Sequence, residues 1–266
     1  MRTTPVIACL LALLVNSVPA ISVELFTYEV VTTKPQDRSL FTQGLQIIDG
    51  QLYVGTGQYG ESRLLRYDWP NMTVNHEHPL DPRLFGEGVT VLDDRVYQLT
   101  WRSGLLFTYQ RDTLEMLEVS RIPTQGWGLT HDGQNLILSD GSNRLYFVDP
   151  KEQRLTRSLS VTQEGLPVTR LNELEWIEGK IWANVYQTDR IVIIDPDNGN
   201  ITGSIDLMGL LPTIERLPDT DVLNGIAYEQ DSGKVWVTGK RWPYLYQIKL
   251  IPLANADETR IDAKTR

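Results

Sequence analysis

The sequence predicts an all-β protein, a five-bladed β-propeller with four-stranded antiparallel blades, and three observations carry that reading. Beyond residue 20 the chain is a succession of short β-branched and aromatic runs broken by Gly, Asp, Asn and Pro, without sustained 3.6-residue periodicity. Five segments align: Phe41-Thr-Gln-Gly-Leu45, Phe85-Gly-Glu-Gly-Val89, Gln125-Gly-Trp-Gly-Leu129, Leu171-Asn-Glu-Leu-Glu175 and Leu223-Asn-Gly-Ile-Ala227. Their third positions, 43, 87, 127, 173 and 225, lie 44, 40, 46 and 52 residues apart, and a second strand follows each at an offset of 10, 10, 10, 9 and 11.

Each unit is justified strand by strand. The aligned segments are the inner strands, with blade starts near 41, 85, 125, 171 and 223. Turns rich in Asp or Gly lead to second strands at Leu52-Tyr-Val54, Val96-Tyr-Gln-Leu99, Leu136-Ile-Leu138, Ile181-Trp-Ala183 and Val235-Trp-Val237. Third strands follow at Leu64–Asp68, Leu105–Tyr109, Leu145–Asp149, Ile191–Asp195 and Leu245–Lys249, and fourth strands at Leu114–Glu118 and Leu155–Leu159 among others. No fourth strand follows Leu250, so Leu25-Phe-Thr-Tyr-Glu-Val-Val31 is expected to supply it, closing the ring and covering an open edge. A sandwich of hairpins would not require five matching offsets.

The 266 residues, 41% hydrophobic and 22% charged, suffice for one large core. Acidic residues outnumber basic ones 34 to 25 and no Lys/Arg cluster interrupts them, which argues against a nucleic-acid partner. Arg2, the apolar run Val6–Val15 and Ser17-Val18-Pro19-Ala20 have the form of a secretory signal, so residues 1–20 are expected to be removed and 21–266 to form one exported domain, periplasmic or secreted. The only cysteine, Cys9, leaves with that segment, so no disulfide is expected. The apolar run is too short to span a bilayer, no later one is longer, and a monomer with a disordered tail over 253–266 is expected.

In a propeller the inner strands line the central channel, and equivalent positions converge on one axis. The second and third positions bring Thr42 and Gln43, Gly86 and Glu87, Gly126 and Trp127, Asn172 and Glu173, and Asn224 and Gly225 toward one rim, joined by Trp101, Tyr186 and Lys240 beyond the second strands. Channel residues can simply bond to each other and to water, but Trp101 and Trp127 at a wet rim call for a ligand to cover them. Glu87, between two glycines, is the best placed acid/base. Other motifs are set aside. Gly55-Thr-Gly-Gln-Tyr-Gly60 spells a dinucleotide fingerprint, but a strand and not a helix follows it, so it reads as a hairpin turn. His76 and His78 lack a third metal ligand, His131 lacks a nucleophile motif, and the sequons at Asn71 and Asn200 matter only in a eukaryotic secretory route.

These segments, with Gln98-Leu-Thr-Trp101, Ser139-Asp-Gly-Ser142, Trp182-Ala-Asn-Val185, Thr188-Asp-Arg190 and Thr238-Gly-Lys240, resemble the plant-type glutaminyl cyclases, or glutamine cyclotransferases, from about Tyr28 to Leu250. The resemblance implies a five-bladed propeller that converts a peptide's N-terminal glutamine to pyroglutamate and ammonia without a catalytic metal. It implies that Glu87 is the catalytic carboxylate, and that Gln43, Trp101, Trp127, Asn172 and Lys240 shape and polarise the pocket. Lys240 and Asn172 would serve the oxyanion, with Glu173 as a second proton carrier. One position departs from the family pattern: Tyr186 stands where a tryptophan is expected, giving a smaller wall with a hydroxyl. No cofactor is required in this reading, and it leaves open whether an ion plugs the channel. A non-catalytic peptide- or sugar-binding propeller and a metal-dependent lactonase-like propeller are the competing readings.

Overall fold

The computed structural model describes residues 22–253. The expected signal segment and nearly all of the 253–266 tail lie outside the described residues. The described chain is all-β apart from one turn of 3-10 helix at Thr213–Glu215, and no helix among the described residues is long and apolar enough to cross a membrane.

Strand β1 (Glu24–Pro35) is followed by three antiparallel sheets of four strands in chain order. They are β2 to β5 (Thr42–Ile48, Gln51–Thr56, Arg63–Asp68, Thr73–Pro79), β6 to β9 (Gly86–Leu92, Arg95–Thr100, Leu105–Gln110, Met116–Arg121) and β10 to β13 (Leu129–His131, Leu136–Ser139, Arg144–Asp149, Arg154–Ser160). A small hairpin, β14 and β15 (Thr162–Gln163, Leu166–Pro167), precedes β16 to β19 (Leu171–Ile177, Lys180–Val185, Arg190–Ile194, Ile201–Asp206). The last strands are β20 to β22 (Leu223–Glu229, Lys234–Gly239, Tyr244–Pro252). β1 runs antiparallel beside β22 from Phe26↔Pro252 to Pro35↔Tyr244, and its first residues also pair in parallel with β19, which fuses these two groups into one eight-stranded sheet.

The inner strands β2, β6, β10, β16 and β20 each contact the next, and β20 returns to β2. The inner strands are accordingly buried on both faces. In β4 the neighbours Leu64 and Leu65 point to opposite faces, one packing with Val89, Val96 and Tyr109 of the second sheet and the other with Ala227, Trp236 and Leu245. Similar clusters join the second sheet to the third through Leu99 and Leu138, the third to β16–β19 through Phe147 and Leu174, and those strands to β20–β22 through Ile205 and Ile248. Truncating one of these fully buried aliphatics to Ala would cost about 2–5 kcal/mol. The outer strands β5, β9 and β13 are mostly exposed; β5 and β13 are largely polar, while β9 leaves Met116, Leu117 and Val119 open to water.

The fourth strand of the second sheet starts at Met116 rather than Leu114, because Leu114 occupies a turn with φ +53 and its side chain fills the core. Glycine governs how closely the inner strands meet. A Cβ on Gly128 would collide with the backbone carbonyl of Asn172, and one on Gly88 with the backbone of Trp127 and Leu129.

Candidate active site

Four of the five inner strands lose their ladder register at the residues singled out by the repeats. The breaks fall between Thr42 and Gly44, Gly86 and Val89, Leu171 and Leu174, and Leu223 and Ile226. Bulges of this kind re-aim side chains. In the third sheet the ladder begins only at Leu129; before it the N–H groups of Trp127 and Gly128 donate to the carbonyl and Oγ of Ser139 at 3.0 and 2.8 Å. The strand ends thus present Gln43, Glu87, Trp127 and Asn172, while the turns leaving the second strands bring Trp101, Tyr186 and Lys240.

Seven of the eight expected site residues line one cavity of about 150 Å³: Gln43, Glu87, Trp101, Trp127, Asn172, Tyr186 and Lys240. Phe41 and Phe85 complete the lining. These two first positions of the repeat were not singled out, although both are aromatic where the third, fourth and fifth units carry Gln125, Leu171 and Leu223. Glu173, expected above as a second proton carrier beside the substrate, does not line the cavity. It is fully buried away from the cavity, where its carboxylate accepts the backbone N–H of Leu45 at 3.2 Å and of Ile226 at 2.8 Å, tying three inner strands together. Adjacent strand residues point to opposite sides, so Asn172 lines the cavity while the Glu173 carboxylate turns toward the backbone of β2 and β20.

Charge in the cavity rests on two groups. Glu87 is 5% exposed and Lys240 3%. Burial pushes the Glu87 carboxyl well above the usual range, opposed by the Lys240 charge; burial likewise pulls the Lys240 ammonium down, opposed by Glu87 and Asp221. Lys240 Nζ stands 5.0 Å from the ring centres of both Phe41 and Tyr186, so aromatic faces replace part of its lost hydration. Tyr186 meets Trp127 edge-on at 5.5 Å. Behind Trp127 lies Gly141, at φ +81, where a Cβ would approach the indole to 2.7 Å. Trp127 Nε1 and Asn172 Oδ1 are buried without a protein partner, leaving one donor and one acceptor for a ligand. Gln43 is positioned by Asn224, whose Nδ2 donates to the Thr42 carbonyl at 3.0 Å and to Gln43 Oε1 at 3.3 Å.

The motifs set aside stay outside this site. Gly55–Gly60 runs from the end of β3 into a turn. His76 and His78 lie on β5, the first against Arg66 at 2.7 Å and the second edge-on to Tyr109 at 5.0 Å.

The sequence profile described as glutamine cyclotransferase matches residues 5–250. The chain belongs to the glutamine cyclotransferase family. Among relatives of this family, a glutaminyl-peptide cyclotransferase of Arabidopsis thaliana is 41% identical over 228 residues, covering 84% of this chain and 71% of that protein. The crystal structure of Myxococcus xanthus glutaminyl cyclase superposes with a TM-score of 0.81 and 32% identity, covering 88% of this chain and all of the other.

Proposed function

We propose that this cyclotransferase closes the N-terminal glutamine of a peptide or protein inside the cavity around Glu87. The α-amine attacks the side-chain amide carbon, the ring C–N bond forms, the bond to the amide nitrogen breaks, and ammonia leaves; no water or redox partner enters the balance. The observation that carries the reading is the pairing of a buried carboxyl with a buried ammonium in a cavity of single-side-chain size.

Burial raises the Glu87 carboxyl above the ordinary glutamate range, which narrows its gap from the substrate amine, itself about 7.7–8.0, and so eases proton transfer between them. Glu87 takes the amine proton as the tetrahedral centre forms and returns it to the departing nitrogen. Lys240 steadies the developing oxyanion, a role worth roughly 3–4 kcal/mol for one well-placed donor. Trp101, Trp127 and Tyr186 wall the curled substrate, Gln43 and Asn172 orient its amide, and holding amine against carbonyl supplies the proximity term. No step in this scheme uses a metal.

The closed ring of inner strands and the β1–β22 pairing support a five-bladed propeller closed by its N-terminal strand. The leader-like residues 1–20 support an exported enzyme, working as a monomer in the periplasm or outside the cell. Ammonia release from a glutaminyl peptide, measured for the parent chain and for Glu87→Gln, tests the catalytic assignment: activity must be present in the first and all but absent from the second.

A further inference from the structure

Phe85 is the hub of an aromatic cluster at the cavity mouth. Its ring meets Phe41 at 6.2 Å, Trp101 at 5.5 Å and Tyr59 at 5.4 Å, all edge-on. Phe41 and Trp101 line the cavity with it; Tyr59 stands outside and is 55% exposed, and no other aromatic ring among the described residues is as open. Tyr59 sits in the glycine-rich turn that follows β3, and that turn is fastened to the site at both ends. Gly57 N–H donates to the Phe41 carbonyl at 2.8 Å, Ser62 Oγ donates to the Gln58 carbonyl at 2.6 Å, and Gly86 N–H, one residue before Glu87, donates to Ser62 Oγ at 2.9 Å. A ring held this firmly in water, contiguous with the pocket, lacks only a covering group.

The surroundings narrow what that group is. The cavity has room for about five water volumes, so one glutamine side chain fills it and the next residue of the peptide stands at the mouth. The Trp101 face is taken by the guanidinium of Arg102 at 4.1 Å. The mouth charges beside Tyr59 pair with one another, Arg241 reaching Asp219 at 3.1 Å and Glu61 at 3.5 Å. Apolar surface is what remains uncovered.

We propose that Tyr59 is the specificity residue for the second position of the substrate, its ring receiving the apolar or aromatic side chain that follows the N-terminal glutamine. The inference rests on the cavity around Glu87 being where glutamine is closed.

Steady-state ammonia release from Gln-Phe and Gln-Gly peptides, otherwise identical, tests it in the full chain and in Tyr59→Ala, Tyr59→Phe and Glu87→Gln. The parent protein should favour Gln-Phe, and Tyr59→Ala should shrink the ratio of the two kcat/KM values about three- to tenfold, through a raised KM for Gln-Phe. Tyr59→Phe should keep the ratio. An unchanged ratio in Tyr59→Ala overturns the proposal, as does an equal fall in kcat for both peptides, which would mean that Tyr59 only props Phe85. Full activity of Glu87→Gln on both peptides would remove the underlying site instead, and the subsite with it.

Discussion

The Glu173 carboxylate on β16 accepts the backbone N–H of Ile226 on β20 at 2.8 Å, while its other oxygen takes the N–H of Leu45 on β2. A side chain from one inner strand thereby satisfies backbone donors of two others, where the close glycine contacts of Gly44, Gly88 and Gly128 have no counterpart: Leu174 and Ile226 occupy those places in the last two units.

Glu173→Ala would leave two buried N–H groups unpaired, at roughly 1–3 kcal/mol each. The expected result is a Tm lowered by about 2–4 °C for each of those kcal/mol in a domain of this size, read by calorimetry. Glu173→Gln, assayed below its Tm, should retain most ammonia release, because the carboxylate does not reach the cavity; a loss as deep as that of Glu87→Gln would restore it to the proton path.

Replacing Glu87 by Gln removes the proton carrier but keeps the shape. Turnover is expected to fall about 10²- to 10⁴-fold with KM little altered and the circular-dichroism spectrum unchanged. An unaffected kcat would refute the assignment.

The pH dependence follows from two shifts of opposite sign. The carboxyl of Glu87 is raised by burial, so the acidic limb of kcat should lie above the ordinary carboxylate range; Lys240 is lowered, so the alkaline limb should come below that of an ordinary lysine. In Lys240→Met the charge that holds Glu87 down is gone, and the acidic limb should move further up. A limb that stays put means that Glu87 does not titrate in it. Stability has its own sign. Glu87, Glu173 and Glu175 all have raised folded-state values, so their contribution is present below about 4.5, the ordinary glutamate value, and is lost as pH climbs through the raised ones. Urea titrations of the parent chain and Glu175→Gln should show a shallower decline in the variant between pH 5 and neutrality.

Tyr186→Ala would remove the edge contact with Trp127 and one of the two rings around Lys240, contacts worth about 0.5–1.5 and 0.5–2 kcal/mol. A fall of about 10- to 100-fold in kcat/KM is expected, with Tyr186→Trp close to the parent. Equal activity of all three would show that this wall does not shape the substrate.

Gly128→Ala should be far more disruptive than Gly133→Ala. The first Cβ meets the Asn172 backbone; the second, at φ +89, meets nothing within 4 Å and costs about 1–2 kcal/mol of backbone strain. Comparable denaturation midpoints for the two variants would contradict the close approach at the axis.

What could be read from the residues alone divides along physical lines. The repeats exposed the inner strands because packing around a common axis demands the same small and polar residues at the same offsets, and Gln43, Glu87, Asn172 and Lys240 came into view together. The place of Glu173 was not legible because the repeat alignment marks both Asn172 and Glu173, and only the contacts with β2 and β20 show which of the two neighbours turns away from the cavity. Phe41 and Phe85 carry no distinguishing signal, since an aromatic ring at a strand start reads the same whether it meets a ligand or another sheet. The β14–β15 hairpin, two residues per strand and containing Pro167, carries no periodicity to detect.

The seating of β1 against β22 also sets an order of events during synthesis. Ribosomes add about 5–20 residues per second, so a strand emerging near residue 30 waits roughly 10–45 s for its partner near residue 248. Over that interval the three four-stranded sheets can form, while the first strand made finds only the short parallel pairing of Glu24–Phe26 with β19 before its long antiparallel partner is released. Truncation near either end of the described chain is therefore the same lesion seen from two sides.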